Sequence, residues 1–277
     1  MSELTVTSDG VVLSGEEDPG AAGAIVLLHG LTATRRYVVM GSRALSSAGM
    51  RVVAFDARGH GRSTPAPRRE YGYEHMSADL AAVLDRAGLD TAMLAGASMG
   101  AHTAIRFALD HPERVSALAL ITPAFMPDAV ARQDELARWD ALARGLREGG
   151  VEGFVRAYEL NKVAPRWRAT IETVLRQRLA AHEHPDALAD ALEVVPRSRP
   201  FRALSDLARL APPTVVVASR DEADPGHPLS VGEAYAGAIP GAELAVEPLE
   251  HPPRSPLAWQ GAQLSRVLLG LAARART

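Results

Sequence analysis

None of the 277 residues is a cysteine. Disulfides, thiolate metal sites and cysteine nucleophiles are therefore excluded together. Lysine occurs once, at Lys162, and every other basic side chain is arginine. With a net charge of −3 this is a compositional bias, and it gives no sign of binding nucleic acid or an anionic membrane. No apolar run reaches the roughly 20 residues needed to cross a bilayer. The stretch Met1-Ser2-Glu3-Leu4-Thr5-Val6-Thr7 alternates and is polar, without the basic and apolar regions of a signal peptide, so a cytoplasmic protein is expected. The nine histidines show no His-x-x-x-His or Glu-x-x-His spacing, and no metal is expected. No Gly-x-Gly-x-x-Gly follows the first long strand, and no cofactor is expected either.

What is present is a chain that is 47% hydrophobic, enough for one large core or for a core plus a smaller lid. Short apolar runs alternate with helical stretches. Leu4–Thr7 and Val11–Leu13 flank Asp9-Gly10, a two-residue hairpin signal. Ala24–Leu28, Arg51–Phe55, Thr91–Ala95, Ala117–Ile121, Thr214–Ala218 and Glu243–Val246 are nearly unbroken apolar runs, as expected of strands buried on both faces of a parallel sheet. Helices are expected over Tyr37–Ala48, His75–Ala87, Met99–Asp110, Gly232–Ala238 and Ala258–Ala273. The pattern predicts an α/β fold with a mostly parallel, doubly wound sheet.

One stretch departs from that rhythm. Residues 127–209 hold no convincing strand but carry helical segments at Ala129–Leu146, Val151–Leu160, Trp167–His182 and Pro185–Val194. Gly149-Gly150, Pro165, Pro185, Pro196 and Pro200 punctuate them. Inserted after the sixth strand, they predict a helical cap over the carboxyl edge of the sheet, where ligands bind in open α/β sheets. The core is then 1–126 and 210–277. An excursion with no role at the site is the other reading.

The most informative segment is Gly96-Ala97-Ser98-Met99-Gly100, between an apolar strand and a helix. A serine oxygen is a useful nucleophile only if it stands clear of the backbone and beside a base. A sharp strand-to-helix turn achieves this, and its strain requires small neighbours two positions either side. The following helix aims its first free N–H groups at negative charge beside Ser98.

This elbow, the His29-Gly30 turn, the loop Asp56-Ala57-Arg58-Gly59-His60-Gly61-Arg62-Ser63 and the strand order together resemble the α/β-hydrolase superfamily. Within it the chain is similar to the capped serine-hydrolase branch that includes carboxylesterases and lactonases. The resemblance covers most of the chain and weakens in the helical insertion. It implies a Ser98 nucleophile, in place of the aspartate of the dehalogenase and epoxide-hydrolase branches. It also implies an oxyanion hole built from the backbone N–H groups of Met99 and Leu31, and the order serine, acid, histidine along the chain. Under it His29 and His60 are read as structural, and His251, after the last strand, is the expected base. The flanking Glu250 and Pro252-Pro253 depart from the family pattern, and His227 is the alternative. The acid should follow Thr214–Ala218. Asp221, Glu222 and Asp224 all stand there, and the proline-anchored Asp224-Pro225-Gly226-His227-Pro228 favours Asp224.

The expected reaction is hydrolysis of a carboxylic ester through a Ser98–His251–Asp224 triad and an acyl-enzyme. Lactone or C–C bond hydrolysis and acyl transfer would use the same machinery. A non-catalytic binding protein on this fold is the reading of a different class. The expected partner is a small acyl substrate, with a homodimer left open. Arg35 and Arg36 are candidates to meet a substrate carboxylate, against a reading as solvated surface. Phe125, Met126, Trp139, Phe154, Tyr158 and Trp167 are read more as packing within the insertion than as pocket lining. His102, His111, His182 and His184 are read as helical positions without a special role.

Overall fold

The computed structural model describes residues 2–127, 132–220, 224–247, 259 and 261–275. Among these residues eight strands form one sheet in the order β1-β2-β4-β3-β5-β6-β7-β8. They are β1 (Ser2–Ser8), β2 (Val11–Asp18), β3 (Ala24–Leu28), β4 (Arg51–Phe55), β5 (Ala92–Ala97), β6 (Val115–Ile121), β7 (Thr214–Ala218) and β8 (Glu243–Val246). The β1–β2 hairpin and its junction with β4 are antiparallel, and every later pairing is parallel. Asp9 and Gly10 both hold positive φ, as the tight hairpin turn demands.

Alternation along the central strands sorts their side chains into two cores. Ile25, Leu27, Met93, Ala95, Ala117, Ala119, Val215 and Val217 face one layer, with α1 (Ala44–Ser47) and α8 (Gly261–Arg274) against them. Val26, Leu28, Leu94, Leu118, Leu120 and Val216 face the other. There α2 (Tyr73–Arg86), α3 (Met99–Asp110) and α7 (Leu229–Ala238) cover the sheet. Burial on both faces is why these strands read as unbroken apolar runs.

The expected boundaries of α3 match the structure. The expected Tyr37–Ala48 helix does not: only Ala44–Ser47 is α-helical, after a short 3₁₀ turn at Arg35–Tyr37. Met40 and Gly41 take positive φ between them, which no continuous helix accepts.

Between β6 and β7 run α4 (Arg132–Ala157), α5 (Arg168–Leu179) and α6 (Pro185–Val194). The helical path of α4 breaks at Gly149 (φ −137°) and Gly150 (φ 58°), as the glycine pair predicted. The two limbs then pack backbone to backbone. A Cβ on Gly145 would stand 2.5 Å from the Gly153 carbonyl oxygen, and one on Gly153 only 2.0 Å from that of Gly145. The expected helix to His182 stops at Leu179, and His182 sits in the turn before α6. There its ring ties the insertion to the sheet edge. Nδ1 accepts the Gly61 N–H at 2.9 Å and Nε2–H donates to the Thr32 carbonyl at 3.2 Å.

Sequence order along the sheet reverses between β3 and β5, which are neighbours although β4 lies between them in the chain. The carboxyl ends of these two strands diverge into different connections and open a crevice. His29-Gly30 leaves the end of β3, and Ser98 leaves the end of β5.

Candidate active site

Ser98 sits at φ 50°, ψ −112°, a conformation that costs a non-glycine residue on the order of 1–3 kcal/mol. The surroundings enforce it. Gly96 packs so closely that a Cβ there would fall 2.2 Å from the Gly100 carbonyl oxygen. A Cβ on Gly100 would fall 2.2 Å from the Leu28 carbonyl oxygen. The two glycines of the motif therefore let β5, α3 and β3 close on one another. The Ser98 N–H is held by the Ile121 carbonyl at 2.9 Å, and the Ser98 side chain caps nothing.

The Ser98 hydroxyl is 2.8 Å from Nε2 of His227. Nδ1 of the same ring is 2.8 and 2.9 Å from the two carboxylate oxygens of Asp224. A carboxylate can only accept, so Nδ1 carries the proton and Nε2 is left to accept from Ser98. Burial disfavours the charged ring, but the Asp224 charge and hydrogen bond outweigh it and hold the His227 pKa above its ordinary value. Burial likewise pushes the Asp224 carboxyl up. His227, the charge of Arg178 and the Gly226 N–H bring it below its ordinary value. The side chains of His227 and Asp224 keep 24% and 36% of their surface.

Asp224 is the acid that the proline-anchored reading favoured. Its partner among the described residues is His227, the alternative base. His251, Asp221 and Glu222 lie outside the described residues. His227 was legible as a histidine at the sheet edge three residues after an aspartate. What favoured His251 was its place after the last strand.

The two residues expected to supply oxyanion donors are Met99 and Leu31. Met99 is the first residue of α3, whose opening N–H groups have no partner within the helix. Leu31 follows Gly30, which lies beside the elbow: a Cβ there would be in ordinary contact with that of Ser98, at 3.6 Å. The loop bearing Leu31 is held by His29, which is buried. His29 Nε2 accepts the Ala57 N–H, and its Nδ1–H donates to Gly30 O, both at 2.9 Å. With both nitrogens used and burial pressing its pKa well down, His29 is a neutral strut. His60 is buried too, its Nδ1 bonded to the Arg58 carbonyl.

The Asp56–Ser63 loop is fixed by its own charges. Arg58 and Asp79 form a buried two-point pair at 2.8 and 2.7 Å. Asp56 accepts the Arg35 and Arg62 N–H groups and pairs with the Arg35 guanidinium. Arg35 is therefore neutralised inside the protein, and Arg36 is exposed.

Two histidines read as unremarkable are structural keystones. His182 joins the insertion to the core, as above. His102 accepts the Ala124 and Phe125 N–H groups at Nε2 and meets the Tyr73 hydroxyl at Nδ1, so it shapes the start of the insertion. Burial drives the pKa of each to about 3. Phe154 is fully buried, whereas Phe125, Met126, Trp139, Tyr158 and Trp167 pack half-buried against the same core, as expected of packing residues.

A cavity of about 130 Å³ opens on Ser98, His227 and Asp224. Its lining includes Gly30, Ser98, Asp224 and His227 from the core, Trp259, and Arg178 from α5. Among the described residues no cluster of histidine, aspartate and glutamate could hold a metal ion.

The crevice position, the strained serine at a strand-to-helix turn and the hydrogen-bonded Ser98–His227–Asp224 chain define a class, and comparison with known proteins gives the same one. The family model for the alpha/beta hydrolase fold matches residues 23–236, and the chain belongs to that family. A Bacillus subtilis protein provisionally named as a 2-succinyl-6-hydroxy-2,4-cyclohexadiene-1-carboxylate synthase is 34% identical over 164 residues. That match spans 57% of this chain and 59% of the relative's own length. A 2-hydroxy-6-oxononadienedioate/2-hydroxy-6-oxononatrienedioate hydrolase of Pseudomonas putida is 29% identical over 231 residues, 81% of this chain and 79% of that one. Among solved structures, a thermophilic esterase from Thermogutta terrifontis superposes with a TM-score of 0.78 at 23% identity, covering 100% of both chains. At that identity the likeness is one of fold. Among the described residues no helix is long and apolar enough to cross a membrane.

Proposed function

We propose that the protein is a serine hydrolase that cleaves a carboxylic ester or related acyl substrate through an acyl-enzyme on Ser98. The observation that carries this reading is the continuous hydrogen-bond chain from Ser98 through His227 to Asp224. Ser98 Oγ attacks the acyl carbon while His227 Nε2 takes its proton. The carbonyl oxygen becomes an oxyanion, held by the Met99 and Leu31 N–H groups. Collapse breaks the bond to the leaving oxygen, which receives the proton from His227. Water then attacks the acyl-enzyme, His227 takes a proton from it and returns it to Ser98 Oγ, and the free acid leaves. The helices of 127–209 act as a cap over this cavity, with Arg178 and His182 as the contacts that support the role. Hydrolysis of a C–C bond beside a ketone would use the same parts, and the name of the Pseudomonas putida relative favours it as the second reading.

A fluorophosphonate probe tests the proposal. It should add its mass to the peptide containing Ser98, and Ser98→Ala should lose roughly 10³-fold or more in kcat while keeping its fold. Labelling of a different serine, or full activity in the alanine variant, contradicts it.

A further inference from the structure

The cap helix α5 carries two arginines two positions apart that meet opposite fates. Arg176 faces outward and is paired twice, with Glu152 at 2.7 Å and Glu172 at 2.8 Å. Arg178 turns inward and lines the cavity over Ser98, Asp224 and His227. It is the one arginine or lysine among the described lining residues. Its Nε is buried without a hydrogen-bond partner, and among the described residues no carboxylate stands within ion-pair distance of its guanidinium. The Tyr37 ring lies under it, 5.6 Å from the guanidinium carbon to the ring centre. Asp224, whose charge acts on Arg178, holds both oxygens against His227.

Other arginines held within the fold are matched: Arg58 with Asp79, Arg35 with Asp56 and Arg51 with Glu17. An unmatched guanidinium enclosed by protein is costly to keep, and the cost falls when an anion arrives. Burial already lowers the pKa of Arg178, while Asp224, Tyr37 and Tyr158 hold it up.

We propose that Arg178 binds a carboxylate on the substrate, so that the site takes acyl compounds bearing a negative charge away from the scissile carbonyl. This rests on the hydrolase reading above and adds the substrate class. The planar fork of arginine suits two-point recognition of a carboxylate. It also gives the cap a reason to sit over the elbow: it brings a cation where the core strands supply none.

The test compares 4-nitrophenyl hydrogen glutarate with 4-nitrophenyl hexanoate, similar in length and different in charge. The wild type should favour the glutarate ester in kcat/KM. Arg178→Gln should lower the glutarate-to-hexanoate ratio by about 10- to 100-fold, chiefly through KM, and Arg178→Lys should recover part of it. Free glutarate should inhibit hexanoate hydrolysis competitively in the wild type, a measurement that needs no folded variant. A ratio untouched by Arg178→Gln, or a wild type that prefers hexanoate and ignores glutarate, overturns the proposal. If Arg178 only supported Asp224, both esters would fall together and the ratio would stand, which also overturns it. No turnover of either ester and no labelling of Ser98 would sink the hydrolase reading, and this inference with it.

Discussion

Replacing Asp224 by asparagine removes one charge and almost no volume, which makes it the sharpest perturbation of the proposed triad. In the native site both carboxylate oxygens accept from His227 Nδ1, at 2.8 and 2.9 Å. That contact leaves Nε2 unprotonated and 2.8 Å from the Ser98 hydroxyl. An asparagine can instead turn its amide N–H toward Nδ1. The ring then carries its proton on Nε2, facing Ser98, where it cannot act as a base. The imidazolium formed during attack also loses its counter-charge. In the serine-protease template, the same exchange costs about 10⁴-fold in kcat, or about 5 kcal/mol of barrier. The pH profile carries a second, independent sign. Asp224 is what raises the His227 pKa against burial. The wild-type kcat/KM should therefore rise with pH through a midpoint above about 6.5, the ordinary histidine value. In Asp224→Asn, with burial left unopposed, the midpoint should move down. Stopped-flow hydrolysis of a 4-nitrophenyl ester between pH 5 and 9, with thermal melts to check the fold, reads both effects. A folded Asp224→Asn enzyme within tenfold of wild type, or with an unmoved midpoint, would refute the reasoning.

Gly100→Ala should lower the melting temperature by several degrees in a thermal melt, because its Cβ would meet the Leu28 carbonyl at 2.2 Å and overpacking of this kind costs about 1–3 kcal/mol. Asp79→Asn, which strands the Arg58 guanidinium, should cost about 3–5 kcal/mol in urea unfolding; an unchanged midpoint would show the pair to be inert. His102 and His182 titrate near 3 in the fold and near 6.5 unfolded, so the unfolded chain binds more protons between those values. Stability should therefore fall as pH drops below about 6.5, by up to about 1.4 kcal/mol per pH unit for each ring, and His182→Gln should flatten that slope in urea titrations at pH 5 to 7.

The elements legible in the sequence share a physical cause. Strands buried on two faces must be apolar throughout, so β3 and β7 could be bounded from their apolar runs alone. The elbow was legible because its geometry excludes a Cβ at positions 96 and 100. The break in α4 was legible because Gly150 must take positive φ. Other features depended on long-range placement, which local pattern does not carry. The helical repeat puts Arg178 on the Ile171–Leu175–Leu179 face of α5 and Arg176 about 200° away, but nothing local says that this face meets the cavity. His182 looks like the last residue of a polar helix, and its role comes from a partner 121 positions away. The choice between His227 and His251 rests on the path of the loops after β7 and β8, which no periodicity encodes.

That choice is the centre of the account, and one measurement addresses it directly. The rate of fluorophosphonate labelling at Ser98 reports how well the serine is activated, without needing the natural substrate. His227→Ala should slow it by 10³-fold or more, because it removes the ring 2.8 Å from the serine oxygen. His251→Ala should leave it within a few-fold of wild type. Slow labelling in folded His251→Ala, with normal labelling in His227→Ala, would contradict the account and assign the base to the loop after the last strand.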